Sequence, residues 1–240
     1  MYSTYGYWRS LVYPDRLAVE IGQGTVNGFK RRVFSVFILG IILFVLRDMW
    51  GMNTGTMTYI LANGSLDEFT IGRITALVGA ILWAMIYMSF HFWGVAWILS
   101  MLTKIPFKPL LKLQLVVTGL LLIEKLINFL IFAVAGKTAA VSILSFGPLA
   151  VTFLENWYII LFVNQLTIFS ALIIAIQYRF ISFSKVETSL VGEEVVEHKG
   201  IRKNALWMLI ALQIIFALIT AAVGFVPIEK MLNLLMIGGL

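Results

Sequence analysis

The stretch of sequence that decides the fold is Leu113–Val134, LQLVVTGLLLIEKLINFLIFAV. A helix crosses the hydrocarbon core of a bilayer with about 20 predominantly apolar residues, and a backbone in lipid must satisfy its hydrogen bonds internally. This run is long enough to cross and is interrupted by one charged pair, Glu124-Lys125. It therefore predicts a transmembrane α-helix with a polar feature near its centre.

Four further long apolar runs lie on either side of this one. Together they predict an all-α fold, a polytopic integral membrane helical bundle of five transmembrane helices. The predicted helices are Val33–Met49, Ile74–Met101, Leu113–Val134, Trp157–Tyr178 and Leu206–Val226. The chain then divides into a cytoplasmic N-terminal segment with a short interfacial helix (1–32), the five-helix transmembrane domain (33–226) and an extracytoplasmic C-terminal tail (227–240).

The composition excludes a soluble fold. Of the 240 residues, 60% are hydrophobic and 12% are charged, which leaves too few charges to cover a water-facing surface. The net charge of +6 is spread along the chain instead of forming one patch, so nucleic acid is not an expected partner. The chain has no cysteine, which excludes disulfides, thiolate metal sites and cysteine catalysis.

Lysine and arginine near the helix ends predict the orientation, because loops retained in the cytoplasm carry an excess of them. Thirteen of the eighteen lie before the first predicted helix, between the second and third, or between the fourth and fifth. Only four lie on the opposite side. We therefore expect an N-in/C-out, multi-pass protein of the cell membrane, and a bacterial plasma membrane is the favoured location.

One weaker apolar segment, Ala139–Leu154, is cut by Gly147-Pro148. If it spanned the membrane, the helices after it would reverse and their basic residues would lie on the wrong side. We therefore expect a re-entrant or interfacial piece on the extracytoplasmic side.

Ionisable residues at membrane depth are costly and usually face the bundle interior, so they are the best candidates for a functional site. They are His91, Glu124 and Lys125. His91 lies ten residues from Met101 and Glu124 eleven from Leu113, so the two are expected at the same depth on neighbouring helices. Both a proton-sensitive relay and a polar clasp that holds the hairpin together fit this arrangement.

Lys125 points about 100° away from Glu124 around the helix and needs another partner. Asn164 or Gln165 on the fourth predicted helix could supply it, and these two amides complete the candidate polar cluster. The motifs of serine hydrolases and zinc proteases are absent from the sequence, and no nucleophile pairs with a base. We therefore expect no catalytic residue, no metal, no cofactor and no enzymatic activity.

The run Phe92–Leu130, FWGVAWILSMLTKIPFKPLLKLQLVVTGLLLIEKLINFL, follows the short Pro-containing N-terminal segment within the five-helix, N-in/C-out layout. This layout resembles the Yip (Ypt-interacting protein) domain family, in particular its small bacterial members, from about Tyr13 to Phe225. Eukaryotic members are linked to Rab GTPases and vesicle traffic, whereas some bacterial members accompany a MacB-type ABC exporter and help it assemble. The DLYGP-type motif of the eukaryotic members is missing, so the resemblance assigns no functional residue and favours the bacterial branch.

Two functions are expected on this basis. The first is a non-enzymatic membrane accessory protein that helps to assemble a complex, such as an ABC-type exporter concerned with peptide or toxin resistance. The second is a small transporter or channel subunit that uses a polar path through His91, Glu124 and Lys125. The expected partners are membrane lipid, other transmembrane proteins such as ABC transporter subunits, or a second copy of the chain.

Overall fold

The computed structural model describes residues 28–52, 65–136, 141–191 and 198–225, and only the backbone of 185–191 and 198–203. Within these residues the fold is helical, with one isolated β-bridge between Ser145 and Thr167, and the predicted all-α class is confirmed. The helices are α1 (Phe29–Met49), α2 (Leu66–Ser89), a π-helical turn (Phe90–Gly94), α3 (Val95–Thr103), α4 (Phe107–Ala135), α5 (Gly147–Phe153), α6 (Trp157–Asn164), α7 (Ile168–Val191) and α8 (His198–Phe225).

Among the described residues, three helices are long and apolar enough to cross a membrane, judged by length and composition: Leu66–Thr103, Phe107–Ala135 and Asn204–Phe225. The first of these joins α2, the π-helical turn and α3 into one helix of 38 residues, called the long helix below. The remaining two predicted spans correspond to a shorter apolar stretch of α7, Ile168–Ser184, and to α1, which carries charged residues at both ends. The protein is therefore compatible with a membrane helical bundle.

The long helix begins eight residues before the predicted Ile74 because Ser65 provides a complete capping box. The Ser65 backbone N–H donates to Glu68 Oε2 at 2.8 Å, and the Glu68 N–H donates to Ser65 Oγ at 3.2 Å. This pairing satisfies two backbone donors that a helix start leaves without partners. Helix formation therefore extends beyond the apolar run into a polar first turn.

The connection between α3 and α4 is a tight turn, Lys104–Pro106. Lys104 adopts a left-handed conformation with φ 60° and ends α3, as a residue after a helix often does. Ser100 Oγ donates to the Ile105 carbonyl at 2.8 Å, and the buried Ile105 side chain anchors the turn in the core. Because the turn is short, α4 starts at Phe107, six residues before the predicted start.

The chain divides into two compact units, Met1–Thr138 with Ala175–Ala205, and Ala139–Ile174 with Leu206–Leu240. In the first unit, α1 packs against α2 and α4, and α4 packs against the π-helical turn and α3. All residues of Leu113–Leu120 are buried, which makes the first half of α4 a central helix of this unit. A second buried cluster joins three helices through Leu43, Phe44, Ala84, Met88, Leu122 and Phe129.

The close approach of α1 to its neighbours depends on Gly40. A Cβ atom at this position would collide with the sulfur of Met88 and lie 3.3 Å from Leu122 Cδ1. Met88 is fully buried, so its side chain would have to repack within the core to make room. Small residues at such crossings are how membrane helices bring their backbones together.

The second unit contains a break in the predicted fourth helix. Residues 165–167 separate α6 from α7, and their backbone pairs with the segment before α5: the Phe146 N–H donates to the Leu166 carbonyl, and the Ile168 N–H to the Leu144 carbonyl, both at 3.2 Å. Thr167 and Ser170 exchange hydrogen bonds between side chain and backbone N–H at 3.1 Å and start α7. Helix propagation therefore stops at Asn164 and begins again at Ile168.

The segment Ala139–Leu154 contributes only α5, whose seven residues cover about 10 Å and cannot cross a bilayer as a helix. The Gly147-Pro148 pair that we expected to cut the segment forms the first turn of α5. The predicted interfacial helix within 1–32 lies outside the described residues. The C-terminal tail at 227–240 lies outside them as well.

Candidate functional site: a polar cluster between three helices

The short α3–α4 turn determines which residues of the hairpin lie at the same height. Counted outward from Thr103 and Phe107 on either side of this turn, Glu124 lies farther along its helix than His91 does. At about 1.5 Å per residue, the offset is more than one helical turn. Glu124 is instead level with Tyr87, one helical turn beyond His91. The expected match in depth between His91 and Glu124 is therefore corrected, because the predicted loop was too long.

Tyr87 is the centre of this polar cluster. Its ring lies 4.5 Å from the His91 ring, centroid to centroid, and 6.0 Å from Lys125 Nζ, which lies over its face. Tyr87 also interacts electrostatically with Glu124 and with Arg47 of α1. Residues from three packed helices thus meet at one place in the first unit.

Lys125 obtains partners within the first unit. Its ammonium group is attracted by Glu124 and makes a cation–π contact with Tyr87, whereas the like charge of Arg47 opposes it. The charge that acts on His91 is that of Lys125. The structure therefore joins His91 to Glu124 through Lys125 and Tyr87.

Asn164 and Gln165, the two amides proposed as partners of Lys125, belong to the second unit and have hydrogen bonds there. Asn164 Oδ1 accepts from the Ser142 N–H and from Ser145 Oγ, both at 2.7 Å. Gln165 Nε2 lies 3.5 Å from the Leu161 carbonyl. The role of Asn164 in the structure is to hold the segment before α5 against the break between α6 and α7.

The end of α1 extends the polar cluster toward one end of the unit. The Arg47 guanidinium lies over the Phe44 ring, with Cζ 5.4 Å from the centroid, and its Nε donates to Met52 Sδ. Arg73 of α2 reaches the last carbonyls of α1, with Nη1 3.4 Å from the Asp48 oxygen. Cations are stabilising at a helix C-terminus because the final carbonyls have no partner within the helix.

His91 lies in the π-helical turn Phe90–Gly94. Such turns are rare and occur frequently at functional sites inside longer helices. The turn also presents Phe92 and Trp93 to Phe37 of α1, with ring centroids 5.9 and 5.4 Å apart respectively. Aromatic packing thus holds the turn in place beside the polar cluster.

The chemistry of the polar cluster is that of groups which exchange or share protons. It combines a phenol, an imidazole, an ammonium, a guanidinium and a carboxylate. The Glu124 side chain is 6% exposed, and the cation that interacts with it is the Lys125 ammonium group. The arrangement can act as a clasp between three helices or as a path for protons.

Sequence reasoning missed Tyr87 and Arg47 as members of the polar cluster. Tyrosine counts as apolar in a membrane run, and Arg47 was counted among the residues that set orientation. A signal for Tyr87 did exist, since it lies four residues before His91 and therefore on the same helix face. No pattern in the sequence marks the π-helical turn that aligns them.

Comparison with known proteins finds no match: no protein-family model, no curated protein and no solved structure is similar to this chain.

Proposed function

We propose that this chain is a non-enzymatic accessory protein of a bacterial plasma membrane, with five transmembrane helices in the N-in/C-out orientation. It binds other transmembrane helices and helps to assemble a membrane complex, an ABC-type exporter concerned with peptide or toxin resistance. The class of partner follows from the resemblance of Phe92–Leu130 to bacterial Yip domain proteins. The need for a partner follows from the exposed apolar residues of the long helix.

The observation that carries this proposal is an apolar stripe along the long helix. Only Ala84 and Met88 of α2 are buried, and exposed apolar residues recur every three or four positions. Within α2, and again within α3, positions spaced in this way lie on one helix face. The apolar stripe comprises Ile71, Ile74, Val78, Leu82, Ile86, Phe90, Trp93, Trp97 and Met101.

Lipid alone does not account for the whole apolar stripe, because the long helix exceeds the membrane. Its 38 residues measure about 57 Å, against about 30 Å of hydrocarbon. Phe44 packs on Tyr87 and Phe37 on Trp93, so the end of α1 at Met49 is level with about residue 81. The turns before that residue lie at or beyond the end of α1, and their exposed residues Ile71, Ile74 and Val78 offer an apolar surface to a partner helix.

A photo-crosslinking amino acid at Val78 tests the proposal. Val78 is 50% exposed, and a matched control is Ile215 of α8, also 50% exposed. We expect crosslinking in intact cells to join position 78, and not position 215, to a subunit of an ATP-hydrolysing exporter. Products that contain only lipid, or purification of the protein from native membranes without transporter subunits, would contradict the proposal.

The polar cluster favours a second candidate function, a small transporter or channel subunit. Tyr87, His91, Glu124 and Lys125 are in mutual electrostatic or ring contact inside otherwise apolar helices. This function predicts a pH-dependent flux in proteoliposomes that Glu124→Gln abolishes. Absence of flux with the unmutated protein, or unchanged flux in the variant, excludes it.

A further inference from the structure

The first unit has one strongly basic end. Lys30 and Arg31 lie in the first turn of α1, Lys104 lies in the α3–α4 turn, and Lys108 lies in the first turn of α4. All four side chains are exposed. Chain direction places them at the same end, because α1 and α4 start where the long helix finishes.

Packing between the helices places these cations at similar heights. Gly40 contacts Leu122, and the Trp50 ring lies 6.2 Å from the Phe129 ring, so α1 and α4 run parallel with a nearly constant offset in residue number. With this offset, the position on α4 that is level with Lys30 lies about one helical turn from Lys108. The four exposed cations at this end of the unit are called the basic belt.

Two helix N-termini add positive potential to the basic belt. Neither Gly28, before α1, nor Pro106, before α4, provides a side-chain cap, and neither first turn contains an acidic residue. Lysine and arginine at a helix start are unfavourable against the helix dipole unless an anion is present. Among the described residues, both helix starts therefore combine N–H groups that receive no side-chain cap with cations that no acidic residue of the same turn offsets, an arrangement that favours phosphate.

The acidic side chains that the structure describes lie elsewhere. In the first unit they are Asp48 at the far end of α1, Asp67 and Glu68 at the far end of the long helix, and Glu124 in the polar cluster. The tight turn also orients the basic belt before any ligand arrives, since Lys104 is the C-cap of α3 and the neighbouring Ile105 is anchored in the core.

We propose that the basic belt binds the phosphate groups of anionic phospholipids, so that one leaflet holds and stabilises the first unit. A membrane-embedded helix end meets lipid head groups at this height, and each lysine or arginine near an anionic surface strengthens attraction to it. The ligand of this proposal is a lipid and not a free phosphate, because the four cations are exposed and come from three separate segments at one end of a helical bundle. This inference is independent of any protein partner.

The test measures lipid binding by the purified full-length protein in a non-ionic detergent. Phosphatidylglycerol or phosphatidylcholine with identical chains is added, and bound lipid is counted by native mass spectrometry beside the thermal unfolding midpoint. We expect phosphatidylglycerol to bind preferentially and to raise the midpoint more than phosphatidylcholine does. The variant Lys30→Gln/Arg31→Gln/Lys104→Gln/Lys108→Gln loses this preference, by about fivefold in affinity per charge removed.

The matched control, Lys30→Arg/Lys104→Arg/Lys108→Arg, keeps every charge and should keep the preference. High salt should weaken binding in the native protein, since exposed charges are screened. Equal binding of the two lipids to the native protein would overturn the inference, as would a preference retained by the neutral variant. Equal stabilisation by glycerol phosphate without lipid would also overturn it. If the fourfold variant does not fold in phosphatidylcholine, Lys104→Gln and Lys108→Gln singly provide the same comparison.

Discussion

Tyr87 connects the charged residues of the polar cluster, although a tyrosine in an apolar run does not by itself predict that role. Its ring contacts His91 and Lys125, and its hydroxyl end is within electrostatic reach of Glu124 and Arg47. The sequence identifies ionisable residues at membrane depth because charge is costly there. It does not identify the neutral residue that carries the contacts between them, since that depends on the register of two helices.

The balance of charge in the polar cluster leads to a first prediction. Glu124→Gln removes the carboxylate that offsets Lys125 and leaves Lys125 and Arg47 repelling each other, whereas Lys125→Met removes that repulsion together with the partner of Glu124. We therefore expect Glu124→Gln to destabilise the protein more than Lys125→Met. Combining the two should cost less than the sum, with a coupling of about 0.5–3 kcal/mol between neighbours. Reversible unfolding in mixed detergent gives the free energy of unfolding of the native protein, the two single variants and the double variant.

The control for this cycle is Arg73→Met, because Arg73 caps the end of α1 through backbone carbonyls. Its combination with Lys125→Met should be additive, as expected for sites without shared partners. Additivity in the Glu124–Lys125 cycle would show that these two charges do not stabilise each other.

Glycine positions give a second prediction at the residue scale. Gly40→Ala places a methyl group against the buried Met88 side chain, and overpacking of this kind costs about 1–3 kcal/mol. Gly79→Ala is the matched control, because nothing lies within 4 Å of a Cβ there and alanine favours the helix by up to about 1 kcal/mol. Unfolding midpoints should therefore move in opposite directions. A Gly40→Ala variant as stable as the native protein would mean that α1 is not held so closely.

At the scale of elements, apolar runs predicted the helices well and their ends poorly. The third run was expected to start at Leu113, but α4 starts at Phe107 and includes Lys108 and Lys112. Hydropathy marks where lipid surrounds a helix, whereas hydrogen bonding decides where the helix ends, and a helix can continue into polar surroundings. Because α4 starts earlier than predicted, Glu124 lies level with Tyr87 and not with His91.

The break between α6 and α7 did have signals in the sequence. Asn164 is a poor residue for the interior of a helix, and Thr167 with Ser170 has the spacing of a helix start. These signals were outweighed by the continuous apolar character of Trp157–Tyr178. The bridge from Ser145 to Thr167 joins segments distant in sequence, so local patterns do not reveal it.

Asn164 gives a prediction for this element. Asn164→Ala removes the oxygen that accepts from the partly buried Ser142 N–H and from Ser145 Oγ, and each hydrogen bond lost costs about 0.5–1.5 kcal/mol. We expect faster hydrogen exchange of the backbone amides of residues 142–146. Asn204→Ala, at an exposed position of α8, should leave this exchange unchanged. Unaltered hydrogen exchange in Asn164→Ala would show that other contacts hold residues 142–146 in place.

At the scale of the whole molecule, composition alone predicted a helical membrane protein. In the part of the chain that the structure describes, three helices are long and apolar enough to cross a bilayer, in agreement with that prediction. Orientation depends instead on the distribution of lysine and arginine between loops. It is a property of the chain in its membrane and has no counterpart in the packing of the helices against one another.

Labelling of single cysteines tests the orientation, and the native chain has no cysteine to interfere. The two positions to replace with cysteine are Asp67 and Lys108, which are both exposed. Asp67 lies at the start of the long helix, and Lys108 lies at the start of α4, next to the other end of the long helix. With the N-terminus inside, a thiol reagent that cannot cross the membrane labels position 67 in intact cells and position 108 only after lysis. The opposite pattern would reverse the orientation and place the basic belt in the outer leaflet.

The π-helical turn at Phe90–Gly94 has a consequence for how variants of the long helix are interpreted. The long helix has buried residues every four positions across this turn, at Ala84, Met88, Phe92 and Ala96. In a regular α-helix, each four-residue step would rotate the buried face by about 40°. The wider turn absorbs part of this rotation and resets the angular phase. A helical wheel drawn through α2 therefore misassigns the faces of α3, and mutational scans of this helix need two wheels that meet at the turn.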